Sequence, residues 1–363
     1  MKLSDKKARV IAFYLPQFYP TIENDQWWGK GFTEWTNVRN AVPLFKGHEQ
    51  PKEPAELGYY DLRDPLVRQA QAELASLYGI EGFCYWHYWF GHGKRVLDRV
   101  FQEVLQSGKP DFPFALAWGN HSWYHKKFSR WGKDDLILQQ NYPGYEDERL
   151  HFMTLLPAFR DPRYVQVDGK PIFVIHNPME IPDVKSFLNH WQHLALDHGL
   201  KGMHFVAIVS KIDDIPKYLN LGFQAVNTSR LYQFVKQAPW VKKIFIKLIR
   251  KFWDRGIIID YAEASPCFFG PEDALDYVYP TLFPNWDHSP RSGRQDHIFI
   301  NSNPDAFKKH VKNVIRGIKN KSPEHKMVFL KSWNEWGEGN YIEPDRRYGR
   351  QYLEALKETL SEN

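Results

Sequence analysis

Val10-Ile11-Ala12-Phe13-Tyr14-Leu15-Pro16-Gln17-Phe18-Tyr19-Pro20 is the stretch from which the fold is read. Its first half is a continuous apolar run, the pattern of a strand buried on both faces. Its second half holds two prolines and no glycine. A doubly wound nucleotide-binding sheet wants a glycine-rich turn here, and this turn cannot cradle a pyrophosphate. Seven further short apolar runs follow at 82–88, 114–118, 172–176, 204–209, 225–228, 277–283 and 328–333. Helical patterns follow each strand, at 64–78, 95–106, 147–159, 183–198, 212–221, 239–253, 305–318 and 351–360. In the first, Leu66, Val67, Ala70, Leu74 and Leu77 recur at helical spacing, with Asp64 as cap, Pro65 in the first turn and Gly79 as stop. Eight strand–helix units read as one α/β domain over residues 1–363, a (β/α)8 TIM barrel.

The connections after the strands are long, at 16–63, 119–146 and 285–304, whereas a return such as Gly79-Ile80-Glu81 is short. Loops after the strands build the active-site face of this barrel type. The chain has 43% hydrophobic and 25% charged residues, which excludes disorder and low complexity. Two cysteines, Cys84 and Cys267, fit a reducing compartment and cannot make a disulfide framework. No signal peptide and no spanning helix are read, so a cytoplasmic protein is expected.

Polar aromatics collect where strands end. Trp86 and His87 close the second strand, Trp118 and Asn120 the third, and Trp286 and Asp287 follow the seventh. Flat amphipathic rings beside hydrogen-bonding groups suit a sugar, with its apolar face and hydroxyl rim. Just past the eighth strand stand Glu335 and Glu338, flanked by Trp333, Trp336 and Gly337. Glycoside cleavage needs two carboxyl groups in different protonation states, and a Trp-rich pocket can raise one pKa by desolvation. The plainer alternative pairs one glutamate with Arg346 or Arg347. His121 and His125 lack the intervening glutamate of a zinc helix, and no P-loop or Gly-x-Ser-x-Gly elbow occurs. No cofactor and no metal is expected.

Phe13-Tyr14-Leu15-Pro16-Gln17-Phe18, Trp27-Trp28-Gly29-Lys30-Gly31-Phe32-Thr33-Glu34-Trp35, Gly82-Phe83-Cys84-Tyr85-Trp86-His87-Tyr88-Trp89-Phe90 and Trp333-Asn334-Glu335-Trp336-Gly337-Glu338-Gly339 resemble the WbsX-type proteins. That family is commonly labelled as glycosyltransferases of surface-polysaccharide clusters, and is similar to the endo-α-mannosidases of glycoside hydrolase family 99. The resemblance implies that Glu335 takes the proton of a sugar 2-hydroxyl and that Glu338 acts as acid and base on the leaving oxygen. The outcome is retention through a 1,2-anhydro sugar, without a protein nucleophile. Tyr14, Trp35, Trp86, His87, Trp118, Asn120, Trp286 and Asp287 are the expected sugar-lining residues. Trp118-Gly119-Asn120-His121 departs from the family's Trp-Ala-Asn-Glu, and Trp286-Asp287-His288 from its Trp-Asp-Asn, which leaves the sugar open.

Three functions are therefore carried forward: a retaining glycoside hydrolase or transglycosylase on an α-linked, mannose-like glycan, a glycosyltransferase, and a non-catalytic glycan-binding barrel. Against the second stand the missing nucleotide-sugar domain and Asp-x-Asp motif. The segment 240–255, from Trp240 to Arg255, is a basic amphipathic helix whose six basic residues against Asp254 equal the net charge of +5. It reads either as an outer barrel helix or as a peripheral contact with an anionic inner-membrane surface. Nucleic acid is not an expected partner.

Overall fold

The computed structural model describes residues 6–125, 135–237, 240, 257–294 and 296–362. Eight parallel strands close a ring: β1 (Arg9–Tyr14), β2 (Ile80–Trp89), β3 (Phe114–Trp118), β4 (Lys170–Ile175), β5 (His204–Val209), β6 (Ala225–Thr228), β7 (Val278–Leu282) and β8 (Met327–Leu330). Each pairs with the next, and β8 returns to β1 through Val10 opposite Val328. The barrel expected from the sequence is present. Nearly all strand residues are buried, because one face fills the barrel and the other lies under helices. Inside, Phe13 stacks on Trp86 at 5.1 Å and on Phe329 at 5.0 Å.

Seven outer helices are described: α1 (Pro65–Leu77), α2 (Arg99–Ser107), α3 (Tyr145–Phe159), α4 (Val184–Asp197), α5 (Ile215–Leu221), α6 (Pro304–Gly317) and α7 (Gln351–Ser361). Asp64 caps α1 by accepting from the Leu66 amide at 2.9 Å, and Asp183 caps α4 through Ser186 at 3.0 Å. The expected helix at 239–253 lies outside the described residues apart from Trp240, and so does the rest of the basic segment.

Three of the boundaries that differ from the sequence reading have a local cause. β2 runs on to Trp89 and pairs antiparallel with Arg95–Val96, so α2 starts at Arg99. α5 starts at Ile215 after a 3-10 turn at Ile212–Asp214, with Pro216 fixing the first helical turn. β8 stops at Leu330, because the Ser332 hydroxyl accepts the Asn334 and Glu335 amides and bends the chain. The long connections gather at the strands' C-terminal ends. They carry the short helices Ile22–Trp28 and Glu34–Asn40 after β1, a hairpin of Trp123–His125 with Asp135–Leu138 after β3, and the helical turn Ser289–Ser292 after β7.

Candidate active site

The turn after β8 is built residue by residue from its own sequence. Asn334 locks it to β1: its side-chain amide donates to the Leu15 carbonyl at 3.0 Å and its Oδ1 accepts the Leu15 amide at 2.8 Å. Trp336 Nε1 donates to Glu343 Oε2 at 2.7 Å, and Tyr60 and Gln71 donate to the same carboxyl group at 2.8 and 2.7 Å. Gly337 has no room for a side chain, since a Cβ would fall 1.8 Å from Glu34 Oε1. Gly339 takes φ +64, and a Cβ there would meet Asp287. The Asp287 amide donates to the Glu338 carbonyl at 2.8 Å and so joins the β7 and β8 loops.

One guanidinium gathers the acidic groups. Arg291, on the turn Ser289–Ser292, donates from Nε to Glu34 Oε1 at 2.8 Å, from Nη1 to Glu338 Oε1 at 2.9 Å, and from Nη2 to Glu335 Oε1. Asn340 donates to the other Glu338 oxygen at 3.1 Å, and His288 Nε2 stands 3.7 Å from Glu338 Oε1. Shared donors of this kind are strong and directional.

The two glutamates consequently titrate apart. Burial pushes Glu335 up to about 8, with the Glu338 and Glu34 carboxylates adding to burial and Arg291 opposing it. Burial also acts to raise Glu338, but Arg291, then Lys331 and His288, hold it below its ordinary value. As a pair they hold one proton at neutral pH. Glu343 is raised to about 7 by burial, against its hydrogen bonds. Folded Glu335 thus keeps a proton that the unfolded chain releases as pH rises from 4.5 to about 8, so its contribution to stability falls across that window. Urea midpoints should show the stability of Glu335→Gln gaining on the wild type over that range. A gap that does not change with pH would contradict this.

A cavity of about 620 Å³ opens over the pair, within the range of small-ligand sites. Trp28, Trp86, Tyr88 and Trp123 give it flat aromatic walls, and Gln17, Asn37, His121, His176 and Asn340 give it polar ones. Trp86 lies between Phe13 and the edge of His176 at 5.4 Å.

A family model described as glycosyltransferase WbsX matches residues 10–356. The chain belongs to the WbsX family. Two uncharacterized proteins WxcX of Xanthomonas campestris pv. campestris are each 33% identical to it over 362 residues, 98% of this chain and 50% of theirs. It spans about half the length of these relatives. Among solved structures, a glycoside hydrolase-like protein superposes with TM-score 0.60 at 18% identity, covering 100% of this chain and 96% of that one. The GH99 endo-α-mannosidase from Bacteroides thetaiotaomicron, in complex with BIS-TRIS-propane, gives 0.57 at 14%, covering 99% and 97%. At such identities the likeness is one of fold.

In this WbsX chain the cavity brings together Trp86, Glu335 and Glu338 of the residues singled out from sequence. The others sit behind its lining. Tyr14 donates to Gln71 at 2.7 Å, on the helix side of β1. Trp35 donates to the Tyr60 carbonyl at 2.8 Å and packs against Trp336. His87 faces outward with its Nε2 2.8 Å from that of His151, and burial holds it down at about 3. Trp118 donates to the Trp89 carbonyl at 3.0 Å, and Asn120 bonds both Tyr142 and Asn177. Trp286 is buried in a small cluster with Tyr261, Phe268 and Phe299. Asp287 is held by His48 at 3.0 Å and Gln50 at 2.6 Å.

Neither alternative partner reaches the pair: Arg346 bonds Glu53 and Arg347 bonds Glu49. Sequence reasoning missed Arg291, Lys331 and the part played by Glu34. Glu34 stood beside Trp35 in a quoted motif, whereas Arg291 carried no spacing signal.

Proposed function

We propose that this chain is a retaining glycoside hydrolase or transglycosylase acting on an α-linked, mannose-like oligo- or polysaccharide. One observation carries the reading: two glutamates of opposite pKa shift share a guanidinium at the wall of an aromatic cavity on the C-terminal face of a barrel. Membership of a carbohydrate-active family and the GH99-like fold support it.

In the proposed reaction Glu335 accepts the proton of the sugar 2-hydroxyl. That oxygen attacks the anomeric carbon, the bond to the leaving oxygen breaks, and Glu338 protonates it. In the second step Glu338 takes a proton from water, whose oxygen attacks the anomeric carbon. The 1,2-anhydro ring opens and Glu335 returns its proton to O2. An acceptor hydroxyl in place of water gives transfer, which accommodates the family's description as glycosyltransferases. Burial favours the pair's proton on Glu335 and Arg291 disfavours it on Glu338, yet it must stand on Glu338 when the bond breaks. Sugar hydroxyls that draw Arg291 away from Glu338 would make that shift.

The test is turnover of α-linked oligosaccharides followed by NMR without added nucleotide-sugar. The first product should have retained configuration, and 2-deoxy or 2-O-methyl counterparts should be inert. Equal turnover of 2-deoxy substrates would overturn the 1,2-anhydro route, because a carboxylate nucleophile needs no 2-hydroxyl. Strict dependence on a nucleotide-sugar would overturn the hydrolase reading.

A further inference from the structure

A second proton carrier stands beside Glu338 and takes no part in the two proposed steps. His288 directly precedes the turn Ser289–Ser292 and lines the cavity. Its ring stacks on Trp286 at 6.0 Å, and its Nε2 lies 3.7 Å from Glu338 Oε1. The other ring nitrogen is fixed by Ser292. The Ser292 hydroxyl donates to the His288 carbonyl at 3.0 Å, so toward Nδ1, 2.9 Å away, its oxygen can only accept. Nδ1 therefore keeps its hydrogen, and Nε2 is the nitrogen that gains and loses one. Asp296 Oδ2 lies 3.6 Å from Nδ1, and the other Asp296 oxygen accepts the His297 amide at 2.7 Å. Burial acts to raise Asp296, but hydrogen bonds from His297 and the charge of His288 hold it below its ordinary value.

Carboxylate, imidazole and carboxylate thus run in sequence from Asp296 to the acid/base of the proposed reaction. The other charged or titratable groups around the ring are Arg291, which shares Glu338 Oε1, Lys331, which lines the same cavity, and His297 beside Asp296. Against burial, Arg291, Lys331 and His288 keep Glu338 ionised, so the imidazolium faces a carboxylate. A sugar that fills the cavity expels the water solvating this ion pair, and a poorly solvated site favours the neutral forms of both groups.

We propose that His288 is the proton relay of Glu338, held by Ser292 and Asp296, and that its Nε2 supplies the proton which Glu338 passes to the leaving oxygen. This role presupposes the glycoside cleavage proposed above. The Nε2–H bond breaks, an O–H bond forms at Glu338 Oε1, and His288 is left neutral with its Nδ1 hydrogen still on Ser292. Glu335 then no longer faces the Glu338 carboxylate and gives its own proton to cavity water, which readies it as base on the 2-hydroxyl. After the second step Glu338 holds a proton taken from water and returns it to Nε2. The gap of 3.7 Å has to shorten to hydrogen-bond length, as catalytic contacts do when substrate binds. His288 acts through Glu338 and touches no reacting atom of the sugar.

Kinetics of His288→Ala on α-linked glycans test the relay. The kcat should fall by about 10²-fold while KM holds, because the acid is needed only as the bond breaks. The loss should be smaller, by about tenfold or more, in the first-turnover burst on an aryl glycoside whose leaving group needs no acid. His288→Asn, which keeps a donor for Ser292 but carries no exchangeable charge, should show the same loss in kcat. Added imidazole should restore glycan cleavage by His288→Ala, and the rescue should weaken as pH rises and imidazolium is lost. Pyrazole, of the same shape but unprotonated at neutral pH, should not restore it. Wild-type kcat in either variant, an equal loss on both substrates, no rescue by imidazole, or equal rescue by pyrazole would overturn the relay. In each of those cases Glu335→Gln and Glu338→Gln stay impaired; if those two instead cleave glycans at the wild-type rate, it is the glycoside cleavage itself that fails.

Discussion

Replacing Glu338 by glutamine is expected to lower kcat/KM for glycoside cleavage by about 10³-fold, and Glu335→Gln by as much, since each carboxyl group moves a proton in both steps and such groups are worth 10²–10⁴. Glutamine keeps the shape of the side chain and an oxygen that can accept from Arg291, so thermal unfolding should show that both variants fold. The two are separable. An aryl glycoside with a good leaving group needs no acid in the first step, so Glu338→Gln should cleave it in a burst and then stall. Glu335→Gln should stay slow, because no leaving group replaces the base on the 2-hydroxyl. If both variants cleave glycans at the wild-type rate, the acidic pair is structural and the proposed function fails.

Arg291→Met should have the second largest effect, and on stability as well as rate. It strips one cation from three carboxyl groups, of which Glu34 is 2% and Glu335 7% exposed. Breaking a buried pair by removing one partner costs about 3–5 kcal/mol, because the remaining charges are uncompensated. Without the guanidinium the folded-state pKa of Glu335 rises further above the unfolded 4.5, and that of Glu338 rises from below it. Folding then takes up protons that the unfolded chain has released, so the loss is smallest near pH 5 and grows as pH rises. Urea unfolding at pH 5 and pH 8 reads this directly. Activity should fall by at least about 10²-fold, with the residual pH profile displaced upward as Glu338 loses its main counter-charge. An Arg291→Met chain as stable as the wild type at pH 8 would mean that the three contacts contribute nothing.

The barrel was legible because parallel strands buried on both faces leave continuous apolar runs, and their helices leave caps at Asp64 and Asp183. The acidic pair was legible because Trp333, Trp336 and Gly337 surround it within one short segment. The residues that line the cavity were much less so, for the same reason that made the strands easy to find. A run apolar on both faces carries no alternation to tell inside from outside. Trp86 and His87 are adjacent in β2, yet one faces the barrel axis and the other packs on His151. Trp118 likewise turns toward the helices, while Lys331, one residue past β8, turns inward.

What the sequence determined by itself was therefore local: the order of strands and helices, the ends at which long loops gather, and the presence of two glutamates on one turn. What the tertiary structure decided was which side chains share a space and hence which charges see one another. Glu34, Arg291 and Glu338 are separated by 257 and 47 residues from Arg291 to either side, but stand within hydrogen-bond distance once the ring closes. Side-chain pKa depends on burial and on charges a few ångströms away. The raised pKa of Glu335 and the lowered pKa of Glu338 thus exist only in the folded chain.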